Sequence, residues 1–270
     1  MFFGKRTRLI IFHDLPNLID MASKLSISTR APKRFDKEKT KAETQELIAK
    51  IGELQRVFYA SAQKSLVVVL QGLDASGKDG LISSVFKGVN PLGCTVHAFK
   101  APTEEEKSHD FLWRVHKALP PKGVIQIFNR SHYEDVLITR VEKWIDDKTA
   151  KKRFEHINNF EYLITDNDTI LLKFYLHISR EEQVERLVER KTNPHKYWKH
   201  NDEDWKTNQK WNLYRKAYED VFKNCNNPEW IIVPSDQNWY KEYLVAKKIY
   251  ETLKKLNLHY PSMAELKEKK

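Results

Sequence analysis

Apolar residues recur along this chain in two rhythms. Between Lys37 and Ala62 the set Leu47, Ile48, Ile51, Leu54, Val57 and Phe58 returns at steps of three and four, which predicts an amphipathic helix. Residues 66–70, Leu-Val-Val-Val-Leu, are a short β-branched run of the kind a buried strand requires. Further strands are predicted at Cys94–Phe99, Val124–Phe128, Ile170–His177 and Trp230–Pro234. Helices are predicted from Lys78 to about Gly88, at Asp135–Trp144, at Thr149–Thr165, around Trp211–Phe222 and over Trp239–Leu256. Two capping boxes mark helix starts. Thr103 with Glu106 opens a helix through Phe111, Leu112, Val115 and Leu119 that Pro120-Pro121 ends, and Ser179 with Glu182 opens one to about Arg190. Polar residues 191–209 separate that helix from the one around Trp211–Phe222.

Short apolar strands alternating with helices predict an α/β fold, a parallel sheet sandwiched by helices. Ligands of such sheets sit at the carboxyl ends of the strands. Residues 1–63 form a basic arm and a helix packing on the core, and residues 64–270 the core itself, with a helical lid around 180–216.

After the strand 66–70 the chain reads Gly72-x-x-x-x-Gly77-Lys78 and then resumes helical periodicity. Strand, glycine loop and helix in that order make a P-loop. Glycine lets the backbone approach oxygen atoms, successive N–H groups and a helix N-terminus point positive charge inward, and Lys78 adds a full cation. Gly72, Ala75, Ser76, Gly77, Lys78, Asp79 and Gly80 are the candidate phosphate contacts. Position 79 is Asp, where the usual pattern has a Ser or Thr on Mg²⁺. Asp74 inside the loop would repel phosphate unless a cation accompanied it. Asp74, joined by Asp79, is therefore the candidate Mg²⁺ site, oxygen being that ion's preferred ligand.

The strand 124–128 delivers a second motif to the same end of the sheet: Asn129, Arg130, Ser131, His132, Tyr133, Glu134 and Asp135. Arg130 either pairs with Glu134 or Asp135 as a structural bridge or grips a phosphoryl oxygen bidentately. Lys100 follows the second strand and is within reach of the pocket. Arg186 and Arg190 stand four apart on one helix face, where Glu181, Glu182, Glu185 and Glu189 are alternative partners. A mobile cover over a phosphate site needs such cations. Trp198, Trp205 and Trp211 either stack on a base or pack the cover onto the core.

Composition narrows the classes. The 270 residues are 40% hydrophobic and 31% charged, which fits a folded soluble protein rather than a disordered one. No apolar run approaches the roughly 20 residues of a membrane span, and the first residues lack the build of a signal peptide. Cys94 and Cys225 are too few for a disulfide framework, so a cytoplasmic protein is expected. A net charge of +10 calls for an anionic partner, and the lysines and arginines of residues 1–41 and 186–216 suit a polyanion. Nucleic acid and membranes are not expected partners: RNA-binding signatures and paired aromatic platforms are missing.

Taken together these segments resemble the polyphosphate kinase 2 family. The resemblance runs from about residue 35 to 256 and rests on Gly72–Gly80, on Phe128–Asp135, on Ser179–Gln183 with Arg186 and Arg190, and on Trp230–Pro234 with Trp239. It implies a P-loop kinase fold that moves a phosphoryl group between inorganic polyphosphate and a nucleotide with Mg²⁺. By the same resemblance Asp74 is a metal and catalytic residue, Lys78 a phosphate binder, and Arg130 and Arg190 clamps on the transferring phosphates, with Glu134 beside them. The wording of both motifs is similar to the group that accepts both AMP and ADP, with guanine nucleotides as alternatives and a homo-oligomer expected. Two rivals remain at this stage: an ATP-dependent nucleoside monophosphate kinase and a nucleic-acid-binding ATPase.

Overall fold

The computed structural model describes residues 24–268. Five strands, β1 (Ser65–Gln71), β2 (Cys94–Ala98), β3 (Ile125–Asn129), β4 (Thr169–His177) and β5 (Trp230–Pro234), form one parallel sheet in the order β2-β3-β1-β4-β5. The helices are α1 (Lys37–Ser61), α2 (Lys78–Val85), α3 (Glu104–Lys107), α4 (Trp113–Lys117), α5 (Ile138–Val141), α6 (Asp147–Asp166), α7 (Arg180–Thr192), α8 (Asp202–Gln209), α9 (Trp211–Asn224), α10 (Asn238–Lys255) and α11 (Met263–Glu268).

All of β1 is buried, and its residues alternate between two apolar layers. Leu66, Val68 and Leu70 pack with Ile51 and Phe58 of α1, Leu81 of α2 and Ile249 of α10. Val67 and Val69 face Ile157 and Phe160 of α6 and Tyr218 and Phe222 of α9. A central strand covered on both faces has to be apolar at every position, which is why this run does not alternate in sequence. The register then fixes the site: Leu70 of β1 stands opposite Asn129 of β3, so the loop after Gln71 and the motif after Asn129 leave the sheet side by side.

A charge pair lies within this core. Lys173, in mid-β4 and fully buried, donates to Glu161 Oε2 at 2.6 Å, Tyr133 Oη at 3.0 Å and the Cys225 carbonyl at 3.0 Å. Burial pulls the lysine's pKa down while Glu161 holds it up.

The structure revises several element boundaries. The single helix expected through Leu119 is two short ones, because Asp110 turns its side chain to accept from Leu112 N at 2.9 Å and interrupts the ladder at 108–112. The stretch expected as a helix over Asp135–Trp144 is a 3₁₀ turn, His132–Val136, followed by the single-turn α5. The polar stretch 191–209 contains structure of its own: Asn193 and Asn201 cap a 3₁₀ turn, Pro194–Lys199, and α8. Asn caps are the reason, since each satisfies a helix-start N–H. Residues 1–23 of the expected basic arm lie outside the described residues. From Lys24 onward the segment crosses the β5 edge, where Thr29 Oγ1 donates to Asp236 at 2.7 Å and Lys24 to Glu229 at 3.1 Å.

Candidate active site

The loop 72–78 turns where β1 ends. Gly77 has φ +91°, a conformation L side chains rarely adopt, and a Cβ there would run into Lys241 Nζ. Gly72 is needed for close approach: a Cβ would lie 2.9 Å from the Leu176 carbonyl. Lys78 folds back over the loop, donating to Gly72 O at 2.8 Å and Leu73 O at 3.3 Å. Burial, reinforced by Arg130, pushes its pKa down to about 8.

Arg130 holds the centre. Its backbone is left-handed at φ +63°, with its N–H donating to Leu70 O at 3.0 Å, and this places the side chain across the loop. A non-glycine residue in that region stores strain that only its surroundings can hold. The guanidinium donates to Glu134 Oε2 at 3.1 Å and to Asp74 Oδ1, and those carboxylates, Glu134 foremost, raise its pKa, so it is cationic at every physiological pH. Arg130 is bridged by Glu134, as one of its two sequence readings has it, and by Asp74, and it also lines open space.

That space is a polar cavity of about 500 Å³ at the carboxyl end of the sheet. It brings together Asp74, Ala75, Gly77, Lys78, Asp79, Gly80, Lys100, Asn129, Arg130 and Arg190, all of them candidates from sequence. Asn129 Nδ2 donates to Asp79 Oδ1 at 2.8 Å. Arg190 reaches in from α7 and donates to Asp204 Oδ2 at 2.5 Å. Next to it lies a largely apolar cavity of about 450 Å³ walled by Phe99, Pro102, Ile138 and Trp144, which Lys100, Arg130, Glu134 and Asp135 also line. Gly72 faces a third, smaller one of about 160 Å³ on the α8 side, and Arg130 lines all three. A larger groove beside Asn158 and Asn226, about 660 Å³, carries no charged side chain.

Five expected contacts are not brought to these cavities. His132 and Tyr133 turn into the core, where His132 Nε2 lies 3.2 Å from Glu161 and Tyr133 Oη donates to the same oxygen at 2.7 Å. Ser131 Oγ is buried and accepts from Gln71 Nε2 at 3.1 Å. Ser76 is buried too, with its N–H donating to Leu73 O at 3.1 Å. Arg186 spends its guanidinium on Glu182 and on the carbonyls of Ala75, Ser235 and Asp236, at 2.8–3.0 Å. A side chain so fully engaged braces the loop instead of meeting a ligand. Asp135 sits at the apolar cavity but is held by Arg114 at 3.3 Å.

Sequence reasoning missed Asp204, Gln183, Arg114 and Lys241. Gln183 donates to Asp74 O at 2.8 Å and accepts from Asn208 of α8 at 2.7 Å, linking the loop to α8. Lys241 had a signal: it stands four residues before Val245 and eight before Ile249, on the buried stripe of α10.

The family model of Polyphosphate kinase 2 matches residues 34–261. An AMP/ADP-polyphosphate phosphotransferase of Meiothermus ruber is 44% identical over 222 residues, covering 82% of this chain and 83% of the relative. An ADP-polyphosphate phosphotransferase of Rhodopseudomonas palustris is 36% identical over 236 residues, covering 82% of each. The crystal structure of Polyphosphate Kinase 2 from Arthrobacter aurescens TC1 superposes with a TM-score of 0.86 at 36% identity, covering 89% of this chain and 88% of that one. With a glycine loop and an arginine motif facing one cavity, and a match spanning nearly the whole chain, this protein is a member of the polyphosphate kinase 2 family and a phosphotransferase of that type.

Proposed function

We propose that the chain transfers a phosphoryl group reversibly between inorganic polyphosphate and both AMP and ADP. The observation that carries this reading is the wall formed by Arg130 and Lys100 between a polar and an apolar cavity. A chain of phosphates suits the polar side, against the N–H groups of the loop and Lys78. A nucleoside suits the apolar side, between Phe99, Pro102, Ile138 and Trp144, with its phosphate turned toward Arg130.

Transfer needs no protein nucleophile. A terminal oxygen of the nucleotide attacks the end phosphorus of the polymer in line, the bond from that phosphorus to the bridging oxygen breaks, and the shortened polymer leaves with the electron pair. The residues position and neutralise: Lys78 and Arg190 on the polymer, Arg130 on the transferring group, Glu134 orienting Arg130. Mg²⁺ fits the donors present. Among the described residues no cluster of three His, Cys, Asp or Glu could cage a metal, while Asp74 and Asp79 line the phosphate cavity. That suits an ion held by one or two carboxylates plus substrate oxygens. When bound it supplies positive charge to the phosphates.

The reading also makes the cytoplasm, where nucleotides are abundant, its place of work. Among the described residues no helix is long and apolar enough to cross a membrane. The test is a donor swap: long-chain polyphosphate, AMP and Mg²⁺ without ATP. ADP followed by ATP is the expected product series. No product there, with transfer from ATP to AMP intact, would overturn the proposal in favour of an ATP-dependent kinase.

A further inference from the structure

Behind the phosphate loop lies a cation that this chemistry does not use. Lys241, in the first turn of α10, is 1% exposed. Its ammonium donates to Ser76 O at 3.1 Å, Gly77 O at 3.4 Å and Asn238 Oδ1 at 2.9 Å, three neutral acceptors. Among the described residues it forms no ion pair. Arg186 and Lys78 repel it, and Glu242 and Glu182 attract it without contact. A buried, unpaired ammonium is costly, and the N-terminal turn of a helix is the wrong end for a cation.

The direction of its bonds explains why the fold keeps it. In a planar trans peptide the carbonyl and the N–H point opposite ways. Carbonyls of residues 76 and 77 drawn back toward Lys241 therefore send the N–H groups of Gly77 and Lys78 forward, and both residues line the 500 Å³ cavity. Gln183 and Arg186 donate to the carbonyls of residues 74 and 75, so four successive carbonyls are engaged, while the Ser76 N–H turns to Leu73 O and only those of Gly77 and Lys78 belong to Lys241's part of the loop.

We infer that Lys241 is a positioning residue for the phosphate donor: it holds the loop's N–H groups toward the cavity and places behind them a positive charge whose counter-charge is the bound polyphosphate. This rests on the reading that the loop holds the polymer. The unpaired ammonium acts through two peptide units, and an anion on their far side relieves it.

Lys241→Met removes the charge at similar length, and Lys241→Gln keeps a donor without the charge. Both are expected to raise the KM for polyphosphate at least tenfold while the KM for AMP stays within twofold. The rise in Tm on adding polyphosphate should fall by at least half, with the ligand-free Tm of Lys241→Gln unchanged or higher. Lys241→Arg should recover part of the lost affinity. A polyphosphate KM within twofold of wild type in either variant, or equal loss for both substrates with a lowered ligand-free Tm, would overturn the assignment. Wild-type protein that makes no ADP from polyphosphate would instead sink the underlying reading.

Discussion

Arg130 and Asp74, 56 residues apart in sequence, form an ion pair at the mouth of the sheet. The pair joins the two motifs, since Asp74 belongs to the phosphate loop and Arg130 follows β3. It also ties a candidate metal ligand to the group proposed to receive the transferring phosphate.

Arg130→Lys should lower kcat about 10²-fold with the fold unchanged by circular dichroism, because a lysine cannot span Asp74 and Glu134 and still face a phosphate. Asp74→Asn should abolish turnover while leaving thermal stability near that of wild type. Unchanged rates in steady-state assays of either variant would remove that residue from the mechanism.

Arg190 and Asp204 should give changes of opposite sign. Arg190→Ala deletes a cation from the cavity and should raise the polyphosphate KM. Asp204→Asn releases the arginine from its partner, so titration calorimetry should report polyphosphate binding about tenfold tighter. Weaker binding in Asp204→Asn would mean that the carboxylate holds Arg190 in its working position.

Lys241 makes ligand-free stability depend on pH. Burial, helped by Arg186, pushes its pKa down to about 7 from the 10.5 of an exposed lysine. Between those values the unfolded chain binds more protons than the folded one, so stability rises with pH across the window, and the burden is greatest below about 7. One proton corresponds to at most about 1.4 kcal/mol per pH unit. Lys78, with its pKa near 8, adds a similar rise. Denaturant titrations at pH 6, 8 and 9.5 should show a smaller increase for Lys241→Met than for wild type; parallel curves would contradict the lysine's contribution.

The core pair Glu161 and Lys173 should be strongly coupled. Removing either alone, as in Glu161→Gln or Lys173→Met, leaves a buried partner uncompensated and should cost about 3–5 kcal/mol. The double variant should lose less than the sum. Additive losses in a double-mutant cycle would mean the two charges are solvated separately.

The sheet was legible because β1, β3, β4 and β5 are rich in apolar residues and the long helices repeat theirs at a helical period, whereas the edge strand β2, Cys-Thr-Val-His-Ala, is half-exposed and mixed. The site was legible where backbone chemistry dictates residue type, as at Gly72, Gly77 and Lys78. It failed where direction matters. His132 and Tyr133 come two and three residues after Arg130, yet the 3₁₀ turn swings them toward Glu161, and nearness in sequence carries no information about that. Arg186 and Arg190 share a helix face, but one reaches loop carbonyls and the other the cavity, four residues further along. Asp204 carries no mark of burial in its sequence neighbourhood, and Lys241 only its place on the apolar stripe of α10; tertiary packing buries both.

The grip of Gln183 and Arg186 on the loop carbonyls has a consequence for how the enzyme takes up its polymer. The first two turns of α7 are bolted to the loop 72–78, so residues 180–186 stay with that loop. Were residues 187–216 to move as a cover, the pivot would lie beyond Arg186, carrying Arg190 and Trp198 outward and leaving the loop amides in place. An open molecule would thus already present a finished berth, and the polymer can board before the cover descends.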